Sequence, residues 1–534
     1  TPKTYEKRLF TLMENAAGIS FMKNGDNTYS PLGAKERTSG GKYEYVIDTD
    51  NHSVNATRYV YVDGYQFKDN QAAYTTADGS HTEAWAGRTA VGNKVEGNAL
   101  KVEGGTLTAA AYGGLVENNK LTAGGQPLTT GDAEKNTLTV TGGSVADGYG
   151  AKVTTKDGAA KTNTAEISSG TVTGSLYGGA ITAAGATKDA TGNKVNLTGG
   201  AVTGSVYGGA LTGAGATGNA TGNQVTLMGA ATVGGNVYAG YTQGTGETTG
   251  NTVNLGDKTG TFTGSVTGTV AGGSNANNVT GNTLNINTNA NVGNIKNFEK
   301  LVFDLNSTVN TANAMLNLTG GAATGGLDWR KLEVNTGSLT GAGIKTYEPY
   351  RVKLMENASG ISFQKGTDNT YTLGGGVKST TSGDFEFTID TSSHAASTTQ
   401  VTAAGYKFKN HVASYSETAA HTEAWAGRTA AGNKVEKNKL TVTAGNITAA
   451  AYGGLVINNK PHATTGDAEN NMITVSGGNV QAVYGAKLLT MGGSATTNTA
   501  VITGGTVHDV YGASLAAVGA TGSAAPSLAR PGAD

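Results

Sequence analysis

The element Asn193-Lys194-Val195-Asn196-Leu197 returns as Asn223-Gln224-Val225-Thr226-Leu227, as Asn251-Thr252-Val253-Asn254-Leu255 and as Asn282-Thr283-Leu284-Asn285-Ile286. Related elements begin at Asn98, Asn136 and Asn163, and again at Asn438, Asn471 and Asn498. A period close to 30 residues sustained over ten copies limits the possible folds sharply. Each unit is too short to bury an apolar face by itself and must stack on its neighbours.

Within a unit the residues alternate. Val195 and Leu197 fall on one face, and Lys194, Asn196 and Thr198 on the other, the period of a half-buried strand. A Gly-rich turn follows, then a second short strand such as Gly204-Ser205-Val206-Tyr207-Gly208-Gly209. No helical stripe interrupts residues 90–290. Strands stacked ~4.8 Å apart would pair each coil with the coils above and below it. The expectation is an all-β chain folded as a right-handed parallel β-helix, with ~30-residue coils and irregular side lobes. Fifteen or so coils would make a rod on the order of 70 Å at that spacing.

A longer period, about 340 residues, encloses the short one. Lys3-Thr4-Tyr5-Glu6 returns at Lys345 to Glu348, and Leu12-Met13-Glu14-Asn15-Ala16 at Leu354 to Ala358. Residues 81–120 return at 421–460 with 31 of 40 identical. The predicted organisation is an irregular β region at 1–90, coils at 91–344, a second irregular region at 345–430, coils at 431–522, and a loose tail at 523–534. The irregular regions carry more charge and more aromatics, among them Tyr43, Tyr45, Tyr65 and Phe67, and read as side lobes.

Composition removes several functions. Gly supplies 83 of 534 residues and Pro only 7, without the triplet spacing of collagen. With 38 basic and 39 acidic residues there is no positive field for nucleic acid. The chain has no Cys, which excludes disulfides, thiol catalysis and Cys-ligated zinc. No run of 18 apolar residues exists to cross a membrane as a helix. The opening Thr1-Pro2-Lys3 lacks Met and a signal-peptide core, so an export signal is expected outside this sequence.

The recurrent Asn reads as structural: it tolerates the left-handed backbone of a sharp corner, and its amide can bond the same Asn one coil away. Tyr177, Tyr207 and Tyr238 hold one place in successive repeats, as do Tyr112, Tyr149, Tyr452, Tyr484 and Tyr511. These outward tyrosines either cover the flanking glycines or form a sticky ladder for protein or glycan. His81-Thr82-Glu83-Ala84-Trp85-Ala86-Gly87-Arg88, intact again at 421–428, offers two metal-ligand types but no third at a sensible spacing. A packed Trp beside a Glu–Arg pair is the simpler reading, and no metal or cofactor is expected. Glycoside cleavage needs two convergent carboxylates. Between 160 and 300 the acids are Glu166, Asp189, Glu247, Asp257 and Glu299, at unrelated phases of the repeat.

Gly-Gly-x-Val-x-Gly-x-Val-Tyr-Gly-Gly at 199–209, Thr-Gly-Asn-x-Val-x-Leu at 191–197 and the segment Val292 to Phe303 resemble passenger repeats of large autotransporter adhesins from Gram-negative anaerobes. The resemblance covers about 90–345 and 430–515. It implies export, passage through an outer-membrane β-barrel lying outside this sequence, and display on the cell surface. The expected function is that of a non-catalytic adhesin or stalk, a monomeric rod meeting a host or neighbouring-cell protein or glycan. The alternatives are a carbohydrate-active β-helix and a phage or surface-layer fibre.

Overall fold

The computed structural model describes residues 3–19, 36–37, 41–47, 57–118, 131–257, 259–305, 309, 312–321, 323–327, 332–335, 344–363, 377–378, 384–389, 397–457, 466–517 and 523–529. The protein is an all-β solenoid, 60% strand and 1% helix, of parallel coils of about 30 residues. It has about 12 turns, fewer than the fifteen or so that the repeats suggest. One reason is that the segments opening each module contribute antiparallel strands instead of coils.

The chain divides into two compact units: residues 1–301 with 318–321, and residues 302–317 with 322–534. The division does not follow the sequence repeat, because most of 302–344 joins the second unit.

In the first unit the coils stack as three parallel sheets. The first runs from Val95–Glu96 to Ala220–Thr221 in two-residue strands, and the second from Gln71–Tyr74 to Thr283–Ile286 in four-residue strands. The third runs from Ser80–Thr89 to Ala290–Lys296. In the second sheet Val195 lies opposite Ala165 and Val225, and Leu197 opposite Ile167 and Leu227, without a shift of register. The inward residues form unbroken columns. Leu100, Leu138, Ala165, Val195, Val225, Val253 and Leu284 make one, and Val102, Val140, Ile167, Leu197, Leu227, Leu255 and Ile286 another, all 1% exposed or less. Each Val, Leu or Ile so buried contributes about 1.5–3 kcal/mol.

The Asn residues are as buried as the aliphatic columns. Asn98, Asn136, Asn163, Asn193, Asn223 and Asn251 each pass a side-chain hydrogen bond from Nδ2 to the next Oδ1, at 2.9–3.3 Å, the last ending on Asn282. The same Oδ1 also accepts the backbone N–H of the preceding Asn, at 2.9–3.2 Å. The second Nδ2 proton goes to a backbone carbonyl, as from Asn193 to Ala160. The amide ladder is therefore present, but the left-handed backbone is not at the Asn. It sits one residue earlier, at Gly97, Lys135, Thr162, Gly192, Gly222, Gly250 and Gly281. The corner is made before the Asn, and this turns the amide inward, where it must be satisfied by its neighbours.

The second unit repeats the plan. Lys439–Val442 lies between Val412–Tyr415 and Met472–Val475, and Asn438, Asn471 and Asn498 form the same ladder. Ala524–Ala529 pairs in parallel with Ala495–Ile502, so residues predicted to be a loose tail continue the stack. Pro526, which has no N–H to donate, is tolerated at the edge of that sheet.

The lobes differ in kind from the coils. In the first unit Arg8–Ile19, Thr57–Gln66 and Tyr43–Ile47 pair antiparallel, in that order. A buried carboxylate fixes this sheet to the coils. Glu44 accepts hydrogen bonds from Thr89 Oγ1, the Ala90 N–H and Asn93 Nδ2, each 2.6 Å long. Glu386 makes the same set with Thr429, Ala430 and Asn433 in the second unit.

Candidate binding face

The third sheet places one aromatic per coil in register: Trp85 opposite Tyr112, then Tyr149, Tyr177, Tyr207 and Tyr238. Val206, next to Tyr207, is fully buried, so by the strand alternation Tyr207 faces outward. The tyrosine rings stack on one another. Centroid separations are 5.3 Å for Tyr112–Tyr149, 4.7 Å for Tyr149–Tyr177, 4.8 Å for Tyr177–Tyr207 and 5.7 Å for Tyr207–Tyr238. Interplanar angles of 3–8° along the last three steps make these parallel stacks. Tyr452, Tyr484 and Tyr511 form the same series in the second unit.

Stacking has a chemical consequence. Tyr177, Tyr207 and Tyr238 are half-buried, and the faces of Tyr177 and Tyr207 are covered by their neighbours. What the ladder presents outward is a row of ring edges and hydroxyls, suited to hydrogen bonding more than to stacking. Lys152 lies over the Tyr112 and Tyr149 rings, and Lys296 over Tyr238. Burial, the largest cause, pushes the Tyr177 phenol up to about 12, and raises those of Tyr112, Tyr149 and Tyr207 as well.

Beside the ladder runs a polar row that the sequence reading did not single out. Asp147 Oδ1 accepts the Ser175 N–H, Ser175 Oγ that of Ser205, Ser205 Oγ that of Asn236, and Asn236 Oδ1 that of Thr269. The signal was in the sequence, as a short polar residue two places before Tyr149, Tyr177, Tyr207 and Tyr238. Its side chains hold the coil corner through backbone N–H groups.

The duplicated His81–Arg88 segment forms the base of the ladder. Arg88 lies over the Trp85 ring at 4.6 Å and donates through Nε to Glu117 at 2.9 Å. Glu83 accepts the Tyr112 hydroxyl at 3.1 Å. His81 stacks on Tyr5 at 3.6 Å and shares a hydrogen bond with the Tyr74 hydroxyl. Arg428, Trp425, Glu423 and Tyr452 repeat the Arg-over-Trp and Tyr–Glu contacts, but Ile457 stands where the first copy has Glu117, and Arg428 Nε is buried without a hydrogen-bond partner. This is the packed Trp with a Glu–Arg pair, and among the described residues no group of three or more His, Asp or Glu is placed to hold a metal.

A cavity of about 370 Å³ opens beside Trp85, where the antiparallel lobe meets the first coil. Tyr43, Tyr45, Tyr65 and Trp85 supply aromatic walls, and Gln66 and Asn70 supply amides. Asp78 also lines it, but its carboxylate is held by the N–H and hydroxyl of Thr75, which keep its pKa below the usual value. The enrichment of aromatics in the lobe was the only trace of this cavity in the sequence.

A shallower groove follows the outward row of the second sheet, past Glu166, Asn196, Thr226 and Asn254 to Asp257. Glu166 and Asn254 stand three coils apart, roughly 14 Å at the sheet spacing. Asp257 is also engaged by the Thr259 hydroxyl and by the Thr259 and Gly260 N–H groups, which outweigh its burial and lower its pKa.

Protein-family models, curated proteins and solved structures were each searched, and none matches the chain.

Proposed function

We propose that the chain is a non-catalytic, surface-displayed solenoid, an autotransporter-type passenger fragment that serves as an adhesin or stalk. The observation that carries this reading is the separation of roles between coil and lobe. The coils satisfy the buried Asn amides internally, each from the coils beside it. The lobe instead opens an aromatic and amide-lined cavity at its junction with Trp85. Its volume lies within the range of small-ligand pockets, and flat rings with side-chain amides suit a sugar ring. A glycan terminus on a host or neighbouring cell is the proposed ligand. Weaker contacts along the tyrosine edges would add by avidity.

Two measurements test it. Antibodies raised against the purified chain are expected to label intact producing cells, and brief external proteolysis to remove the label. Labelling that appears only after lysis overturns surface display. On a glycan array the chain is expected to retain a sugar without releasing product, and Tyr43→Ala with Gln66→Ala to weaken retention roughly tenfold. New reducing ends in the wash would overturn the non-catalytic reading.

A further inference from the structure

Residues 8–19 and 350–361 are the same strand in the two copies of the repeat, at a constant offset: Phe10 matches Val352, Leu12 matches Leu354, Met13 matches Met355 and Ile19 matches Ile361. On one side the two strands are used alike. Arg8–Ile19 pairs antiparallel with Thr57–Gln66, and Tyr350–Phe363 with Ser397–Lys407, with an irregularity at the same place, after Thr11 and after Lys353.

On the other side they differ. Within the second unit the strand Tyr350–Phe363 is also paired in parallel with the close of the preceding coil. Leu316 lies opposite Met355, Asn317 opposite Glu356 and Ala323 opposite Ile361, and the Met315 N–H donates to the Lys353 carbonyl at 3.0 Å. Val352, Leu354 and Met355 are there fully buried. Among the described residues the strand Arg8–Ile19 is the edge of its sheet. Phe10 is 38%, Leu12 58% and Met13 51% exposed, and Leu9 beside them 54%. These four are half of the eight large apolar side chains that stand exposed among the described residues. Phe10 meets the Tyr45 ring edge-on and lies under the Arg8 guanidinium, but no described strand pairs with this side, and an apolar edge with no Pro or Lys in it is a template for strand addition.

We propose that the edge of Arg8–Ile19 is a docking site for a second copy of the module's closing coil, the segment of sequence 312–327. That strand would add in parallel and cover Phe10, Leu12 and Met13 as its counterpart covers Val352, Leu354 and Met355. Modules of this kind would thereby join head to tail by continuing the solenoid. The occupant is specified by the repeat itself, since the same strand is seen with the same kind of partner on it.

The test exploits the methionines. In the unmodified chain, peroxide is expected to oxidise Met13 quickly and Met355 slowly. A synthetic peptide of residues 312–327, and separately a copy of residues 290–344 fused ahead of Lys3 as 344 precedes Lys345, should each slow Met13 oxidation roughly tenfold or more. Both should also protect the amides of 8–19 from hydrogen exchange. Leu12→Lys should abolish the protection while leaving Met355 unchanged, and Leu316→Asp in the fused copy should do the same. Met13 oxidising at its original rate with both partners overturns the proposal. So does protection that survives Leu12→Lys, or self-association of the chain that the peptide fails to compete away.

Discussion

The Nδ2 of Asn193 donates to Oδ1 of Asn223 at 3.1 Å, and the backbone N–H of Asn193 reaches the same oxygen at 2.9 Å. One buried carbonyl oxygen thus satisfies two donors of the coil before it, while its own amide serves Ala190 and Asn251. Cutting any rung leaves several groups unpaired out of reach of water, and such groups cost about 1–3 kcal/mol each.

Asn223→Ala should destabilise the surrounding coils by about 2–4 kcal/mol, since it strands two donors of Asn193. Asn223→Asp keeps the acceptor but sets a charge among the carbonyls of Ala190 and Asn251. Burial should raise that carboxyl above the usual carboxylate range. The variant should therefore be most stable at acid pH, below the unfolded value of ~3.9, and lose stability as pH rises through the folded value. Denaturant midpoints measured across pH would show a slope of opposite sign if the carboxylate is instead welcomed.

Gly209 faces the ladder, and a Cβ there would overlap the side-chain amide of Asn223. Gly209→Ala should cost about 1–3 kcal/mol from overpacking. Removing the obstacle should recover part of it, so Gly209→Ala with Asn223→Ala should destabilise less than the sum of the two. A double-mutant cycle on unfolding free energy measures this, and simple additivity would refute the contact.

The tyrosine stack should resist alkali to a point. Burial lifts the Tyr177 phenol to about 12, and a raised folded value means that its stabilising contribution is intact below ~10 and is lost as pH rises through about 12. Phenolate absorbance should rise late and together with loss of β circular dichroism. Tyr177→Phe should shift the alkaline transition upward; an unchanged transition would show that the phenol does not control it.

Glu386 is buried with four donors on its carboxylate: Thr429 Oγ1, Asn433 Nδ2 and the N–H groups of Ala430 and Ala431. Glu386→Ala should free the lobe from the coils at a cost of about 3 kcal/mol or more. Hydrogen exchange in Phe385–Ile389 should accelerate while Lys439–Val442 stays protected. Glu44→Ala should act in the same way on Tyr43–Ile47.

The period of the Asn element, the alternation around Val195 and Leu197 and the Tyr at one place per coil were enough to specify stacked parallel coils. A solenoid's contacts join the same position of adjacent units, so a one-dimensional repeat carries its three-dimensional pairing. That the Asn amides would bond coil to coil was legible for the same reason, although the residue in the left-handed turn is the one before.

Wherever contacts depart from the repeat, only the tertiary structure decided. Glu44 and Thr89 are 45 residues apart with no periodic relation, so nothing local marks the carboxylate that anchors the lobe. The lobe's antiparallel pairing and the cavity beside Trp85 depend on the same long-range meeting. Leu12 and Leu354 sit in nearly identical sequence, yet one is 58% exposed and the other buried. Burial is set by what packs on the far edge of a strand, and that information lies outside the strand.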